Sequence, residues 1–338
     1  MKIYIDIYHL PQFNLFKNAI IQLGSDHVDL GCVNRGKLVD VIRHECPEFN
    51  LFVFGDYNNN TGIISLATKV IIPRIIQLVK LFRRKKYQII GAAGYQANVA
   101  AKILGIPNFA ILDDPRGFMI KLLKLSTKEI YLPPFAKNYG KIKQYNALKE
   151  WAYLSPKYFI PSENVLEEYD LKKKGYVFIR EVSTETINYL SQEKEIILKI
   201  SNLFPQNIKV VLSLENKNKR QSYPDDWIIL NEPVSDIHSL MYYSKIVIST
   251  GDSMAREGGM LGVPSIYLGN RDMPANRILI DKGLLQRKSS KNLTAYIENK
   301  ILANTSNFEQ NKLRNKLENE WDDITKLIMS LIEKGKKQ

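Results

Sequence analysis

The segment that most restricts the folding of this chain runs from Ile246 to Leu268. It opens with Ile246-Val247-Ile248, a β-branched run suited to a strand buried on both faces. Gly251 can supply the positive φ of a sharp turn, and Asp252 or Ser253 can cap the helix that follows. Gly262 fits just past the end of that helix, and Pro264 stops its continuation before a second strand, Ser265–Leu268. The pattern is strand, tight turn, helix, tight turn, strand. The start of such a helix presents unpaired backbone N–H groups and a partial positive charge, which suits phosphate. Glu257 lies about one turn further on, where a carboxylate can accept hydrogen bonds from ribose hydroxyls. An ordinary βαβ unit with a capped helix and no ligand satisfies the same pattern.

Alternation of this kind fills the chain. In the first half, strand candidates Lys2–Ile7, His27–Val33, Phe49–Phe54, Tyr87–Ile90 and Asn108–Leu112 alternate with helical segments Phe13–Leu23, Lys37–His44, Ser65–Arg84 and Tyr95–Leu104. Such a series argues for a parallel sheet covered on both faces. Gly91 and Gly94 fall between a strand and a helix, but without the third glycine and following acid of a dinucleotide fingerprint. After Asp113-Asp114-Pro115 the pattern loosens into an irregular section rich in Lys, Tyr and Pro. A short strand is expected at Lys157–Pro161 and a short helix at Ser162–Asp170. Lys172–Gly175 reads as a hinge, dividing the chain into residues 1–172 and 173–338. A second alternation follows, with strands Tyr176–Ile179, Lys209–Leu214, Trp227–Leu230, Lys245–Ser249 and Ser265–Leu268. Its helices fall around Thr184–Leu203, Asp236–Tyr243 and Asp252–Leu261, and Glu215–Asp226 is a polar surface loop. From Asn307 onward a charged amphipathic helix is expected, of a length that can cross back over the first domain.

Two domains of ordinary size suit 338 residues, and 45% hydrophobic with 25% charged residues suits two buried cores. No apolar run is long enough to span a bilayer, and the N-terminus lacks a signal peptide's apolar core, so a cytoplasmic location is the expectation. Cys32 and Cys46 form neither a disulfide framework nor a metal motif, and four histidines without paired spacing argue against a zinc site. The formal charge of +13 calls for an anionic partner. Nucleic acid is disfavoured: there is no zinc-finger, RRM or KH pattern, and no basic tract interleaved with exposed aromatics.

Two consecutive αβα halves, a hinge, and a Gly251-Asp252-Ser253…Glu257 helix late in the second half resemble the GT-B fold. In that α/β fold two Rossmann-like domains face each other across a cleft. Many nucleotide-sugar glycosyltransferases share it, as do the UDP-N-acetylglucosamine 2-epimerases. A closer similarity is to the bacterial and archaeal domain of unknown function 354 family. It is carried by Ile5–Pro11, Tyr176–Arg180, Asp236–Ser244, Ser253–Glu257 and Leu261–Pro264. The epimerases have a Gly-Gly-x-Gln-Glu-Glu helix start where this chain has Asp252–Glu257. The last acid matches, Arg256 replaces the first, and both glycines are gone. Their second domain opens on a strand ending His-Arg, here Ile179-Arg180, and their later Arg-Asp turn is similar to Asn270-Arg271-Asp272. Their first-domain acid–base residues find no match. The resemblance implies that Glu257 holds the ribose. It also implies that Ser253 and the Met254 backbone, with Gly251 and Asp252 at the same turn, hold phosphate, and that Arg180 and Arg271 neutralise the diphosphate.

The activity so implied is transfer of a sugar from a nucleotide donor, UDP-linked, to a glycan or lipid-linked acceptor in surface polysaccharide synthesis. Such an enzyme stabilises a departing nucleoside diphosphate and deprotonates an acceptor hydroxyl. A helix N-terminus with arginines does the first without a metal. No Asp-x-Asp stands in a suitable context and Asp225-Asp226 reads as a solvated loop, so no metal and no cofactor beyond the donor is expected. The second task needs a base beyond the C-terminal end of a strand. His9, just past the first strand, is the first candidate, and Asp113 and Asp114, after the fifth, are the second. Each has a plain alternative: a loop histidine bonding local backbone, a turn cap at Asp113-Asp114-Pro115, and for Arg180 a structural ion pair. A 2-epimerase and a nucleotide-binding scaffold without chemistry are the competing functions. Val70–Lys86 reads either as a core helix whose basic end supports its dipole or as an amphipathic helix on an anionic membrane surface, and Met119–Leu125 has the same two readings.

Overall fold

A computed structural model describes residues 2–56, 70–113, 118–136, 140–184, 189, 191–231, 234, 236–289, 293, 296–297 and 307–336. The chain divides into two compact units, Met1–Tyr153 with Glu320–Gln338, and Leu154–Asn319.

The first unit runs β1 (Ile3–Ile7), α1 (Leu10–Leu23), β2 (Val28–Asn34), α2 (Leu38–Glu45), β3 (Asn50–Asp56), α3 (Ile72–Lys85), β4 (Ile89–Ala92), α4 (Gln96–Ile103), β5 (Asn108–Ile111), α5 (Phe118–Ser126), β6 (Glu129–Leu132) and β7 (Ile142–Gln144). All neighbouring strands are parallel, in the order β3-β2-β1-β4-β5-β6-β7. Right-handed crossovers then place α1 and α2 on one face and α3, α4 and α5 on the other. β1 is wholly buried. Its one carboxylate, Asp6, is matched by Arg74 of α3 at 2.7 Å, and Arg74 also donates to Gln96 of α4 at 2.5 Å. Burying an unpaired charge on a central strand would be prohibitive, so this pair fixes how α3 and α4 sit on β1. The Tyr4 ring, edge-on to Phe82 at 4.9 Å, fills the space that a side chain on Gly31 would need. A final helix, Ile324–Lys336, packs on α1, and the Trp321 just before it meets Trp151 edge-on at 5.3 Å.

In the second unit α6 (Asn164–Glu168) precedes β8 (Tyr176–Glu181), β9 (Lys209–Leu214), β10 (Ile228–Ile229), α7 (Ile237–Tyr243), β11 (Ile246–Ser249), α8 (Asp252–Met260), β12 (Ser265–Tyr267), α9 (Pro274–Asp281), β13 (Gln286–Arg287) and α10 (Asn307–Glu320). The strands form a second parallel sheet, β10-β9-β8-β11-β12-β13. Both units are therefore Rossmann-like α/β layers, the pair of α/β domains expected from the sequence.

The details differ from the sequence expectation in five places. The section after Asp113 is regular, containing α5, β6 and β7. Lys157–Pro161 is no strand: the amides of Tyr158 and Phe159 turn back to the Ser155 carbonyl at 3.0 and 2.9 Å. The boundary lies at residues 153 and 154 rather than 172 and 173. Ser162 N donates to Ser239 Oγ at 2.9 Å and Tyr243 OH to the Pro161 carbonyl at 3.2 Å, which ties this stretch to α7. Lys172–Gly175 is thus a tight turn inside the second unit, closed by Gly175 N to the Lys172 carbonyl, not a hinge. Within Thr184–Leu203, Glu195 takes a left-handed φ of 57°, and only one α-turn, Ile196–Lys199, and a 3-10 turn, Ser201–Leu203, follow it. The tail is two helices rather than one. Residues 65–69 and 114–115, included in expected elements, lie outside the described residues.

Candidate functional site

In an open parallel sheet, reversal of strand order leaves a crevice at the strand C-termini. The reversal in the second unit falls between β8 and β11, and α8 starts there. The turn is locked locally: Gly251 N donates to Ser249 Oγ at 3.0 Å, Ser249 Oγ to the Gly251 carbonyl at 2.7 Å, and Thr250 N to the Arg180 carbonyl at 3.0 Å. Gly251 has φ −99°, so positive φ is not why glycine stands there. A Cβ at this position would lie 2.6 Å from Val182 Cγ1, so close packing is the reason. Gly251 is itself the N-cap and brings no capping side chain. Ala255 N is bonded back to the Gly251 carbonyl, and the earlier amides, those of Ser253 and Met254 included, have no acceptor within the helix.

Asp252 does not cap the helix. Its buried carboxylate accepts from Tyr189 OH at 2.7 Å, Arg256 Nη1 at 3.0 Å and Arg271 Nη1 at 3.2 Å. Burial favours the neutral acid, but Arg256 and then Arg271 outweigh it and hold the pKa at about 2. Arg256, fully buried, also donates to Asn276 at 2.9 Å. Arg271 lies over the Tyr189 ring at 5.8 Å. Two guanidinium groups around one carboxylate leave the start of α8 with a net positive charge, added to that of the helix end.

One turn into α8, Glu257 is nearly buried, with His238 Nε2 of α7 at 3.6 Å from its carboxylate. His238 is itself set edge-on to Phe159 at 6.1 Å. Arg180, near the end of β8, donates to Ser213 Oγ of β9 at 2.8 Å and lies 3.6 Å from Glu215. That places it in the ion pair that was the plain alternative for it. A hollow of about 280 Å³ at the C-terminal ends of β12 and β13 is lined by Leu268, Gly269, Asn270, Arg287 and Lys288. A larger one, about 390 Å³, opens around Gly262 and Ser265 at the N-terminal ends of the same two strands, away from these groups.

In the first unit the reversal falls between β1 and β4, and His9 lies just past β1. It is the N-cap residue of α1, with extended backbone, and its carbonyl accepts from Gln12 N at 2.9 Å. Its Nδ1 is buried and has no hydrogen-bond partner among the described residues. Burial, then the Lys149 cation, push its pKa down to about 3 against the opposite pull of Asp113. Asp113 is ion-paired with Lys149 Nζ. The structure thus gathers His9 and Asp113 around Lys149, while Asp114 lies outside the described residues. A neutral imidazole can accept a hydrogen bond from a hydroxyl, and Asp113 serves first to neutralise the lysine beside it. Among the described residues no cluster of three His, Cys, Asp or Glu could hold a metal ion.

Sequence reasoning missed Lys149, Tyr189, His238 and the clamp role of Arg256. Only Arg256, four residues after Asp252, had a readable signal. The other partners are far away in sequence.

Residues 122–336 match the model of a family described as Protein of unknown function (DUF354). An uncharacterized protein of Methanocaldococcus jannaschii is 22% identical over 326 residues, covering 89% of this chain and 92% of that one. Among solved structures, UDP-GlcNAc 2-epimerase from Neisseria meningitidis bound to UDP-GlcNAc aligns with TM-score 0.66 at 15% identity, over 99% of this chain and 100% of that one. The glycosyltransferase VinC in complex with dTDP aligns with TM-score 0.65 at 11% identity, over 100% of both. At these identities the likeness shows the fold.

Proposed function

The chain belongs to the DUF354 family, and from that premise we propose that it is a GT-B nucleotide-sugar enzyme, a metal-independent glycosyltransferase. Its donor in this reading is UDP-linked and its acceptor a glycan or lipid-linked sugar of surface polysaccharide synthesis. One observation carries the reading: the start of α8 has no capping side chain, is ringed by Arg256 and Arg271, and has a near-buried carboxylate, Glu257, one turn on. An uncapped, cationic helix start suits a diphosphate. A carboxylate one turn away suits the two hydroxyls of a ribose, with His238 orienting it. Arg271 reaches the diphosphate by exchanging part of its contact with Asp252 for phosphate oxygen. As an aligned UDP-GlcNAc-bound structure is a 2-epimerase, epimerisation of the donor is the second reading.

Calorimetric titration of the purified protein with UDP, GDP, CMP and dTDP tests this. Selective UDP binding that weakens by about 2 kcal/mol in folded Glu257→Ala is expected, the scale of hydrogen bonds to a charged group. Unchanged affinity in that variant removes Glu257 from the site, and no binding of any nucleotide removes the reading. Incubation with UDP-GlcNAc and no acceptor separates the two enzymes: formation of the 2-epimer would favour epimerisation.

A further inference from the structure

We propose that the helical layer of α3, α4 and α5 is a docking surface for an anionic lipid bilayer. The inference is independent of the nucleotide reading. These three helices lie side by side on one face of the first sheet and contain no Asp or Glu, while Lys and Arg recur in all of them. Their inner faces are ordinary core: Leu78, Leu81 and Phe82 of α3, Ala97, Ala100 and Ala101 of α4, Ile120 and Leu123 of α5. Their outer faces are not ordinary surface. On α3, Ile72 (51% exposed), Ile76 (50% exposed), Lys80 and Arg84 follow at four-residue spacing, which aligns them on one stripe. α4 ends in exposed Lys102 and Ile103 (59% exposed), and α5 presents Lys121 and Leu125 (73% exposed) one turn apart.

A single exposed isoleucine is unremarkable, but four large aliphatic side chains on one layer that also presents Lys80, Arg84, Lys102 and Lys121 and has no helix carboxylate fit an interface of one kind. Aliphatic groups enter the headgroup boundary of a bilayer while lysines and arginines meet anionic lipid. A single-stranded nucleic acid would instead favour aromatic stacking platforms, and among the described residues the exposed large apolar groups of this face are aliphatic. A second copy of the chain would set cations against cations. Among the described residues no helix is long and apolar enough to cross a membrane, so the contact is with the surface.

The test is flotation of the whole protein with vesicles of phosphatidylcholine alone or mixed with phosphatidylglycerol, at rising salt. Binding to the anionic vesicles that falls with salt, and little binding to the neutral ones, is expected. A Lys80→Glu, Arg84→Glu double variant should partition roughly tenfold less or worse. An Ile76→Ser, Leu125→Ser variant should lose binding severalfold with its melting temperature preserved, because neither side chain is in the core. No binding to anionic vesicles, equal binding to neutral ones, or undiminished binding of the Lys80/Arg84 variant would overturn the proposal. A dimer that dissociates on the Ile76/Leu125 change would assign the face to a second copy and overturn it too. The UDP titration of the same variants reports on the nucleotide site separately.

Discussion

Removing the Asp252 carboxylate would strand the fully buried Arg256 guanidinium with Asn276 and Ser253 as its identified partners. Breaking one side of a buried pair typically costs about 3–5 kcal/mol, and the half-buried Arg271 can turn to solvent, so about 3 kcal/mol is expected for Asp252→Ala. Urea unfolding at neutral pH measures it, and a loss below about 1 kcal/mol would mean that the cluster contributes little. The same carboxyl gives a pH signature. Its pKa falls from 3.8 to about 2 on folding, so the native state holds fewer protons than the unfolded chain between those values. Its stabilisation, about 2 kcal/mol, is complete above the unfolded pKa and is lost as pH falls toward 2. His9, lowered to about 3, works in the same direction over a higher window, beginning below its ordinary 6.5. Asp252→Asn should flatten only the lower part of the acid limb. At this scale the sequence shows residue types but not partners. Arg256 is legible as an i, i+4 partner, whereas Arg271 and Tyr189 meet Asp252 from 19 and 63 residues away. Arg180 has its side chain turned to β9 by a cross-strand register that no motif encodes.

At the scale of elements, α8 tests how far glycine placement can be read. The end of the helix follows the sequence: Gly262 has φ 76°, Gly262 N bonds to the Gly259 carbonyl at 3.0 Å and Val263 N to that of Gly258 at 3.1 Å, a Schellman closure. Gly258 and Gly259, inside the helix, serve another purpose. A Cβ on Gly258 would fall 2.4 Å from Ser265 Oγ and 2.9 Å from Val247 Cβ, so glycine lets α8 press against β11 and β12. Gly258→Ala should therefore cost about 2–3 kcal/mol by overpacking, in spite of alanine's better helix propensity. Gly283→Ala, at φ 72° with open space around it, should cost only about 1 kcal/mol, the strain of a left-handed alanine. Chemical denaturation of the two variants checks the order, and equal losses would refute the packing account. The long buried strands of the two sheets are legible for the same reason as β11, their continuous apolar runs. β6 and β7 are not, because Glu129, Lys143 and Gln144 break their apolar runs and the lysines, tyrosines and prolines around them leave no periodicity to read.

For the whole molecule, the central fact is that the first unit is discontinuous in sequence, closed by residues from the other end of the chain. The length and amphipathic pattern of the tail already suggested a return to the first domain, and Ile324–Lys336 makes it; what the sequence concealed is that the tail is two helices and that only the second belongs to the first unit. The returning segment buries Trp321, Ile324, Ile328, Leu331 and Ile332, and Asn146 N donates to Asp322 at 2.6 Å. At about 2 kcal/mol for each large side chain the burial is worth about 10 kcal/mol as an upper estimate. That equals the entire stability of an ordinary domain. A chain truncated after Glu320 should therefore lose the cooperative melting of its first unit, with Trp151 exposed to quenchers. The second unit, which holds Gly251 to Glu257, Arg271 and His238, should keep its own transition and still be stabilised by UDP. Scanning calorimetry with and without UDP separates the two. An unaltered pair of transitions would show that the returning helix is dispensable. A second unit that melts as before but no longer responds to UDP would end the assignment of the nucleotide site to that unit alone.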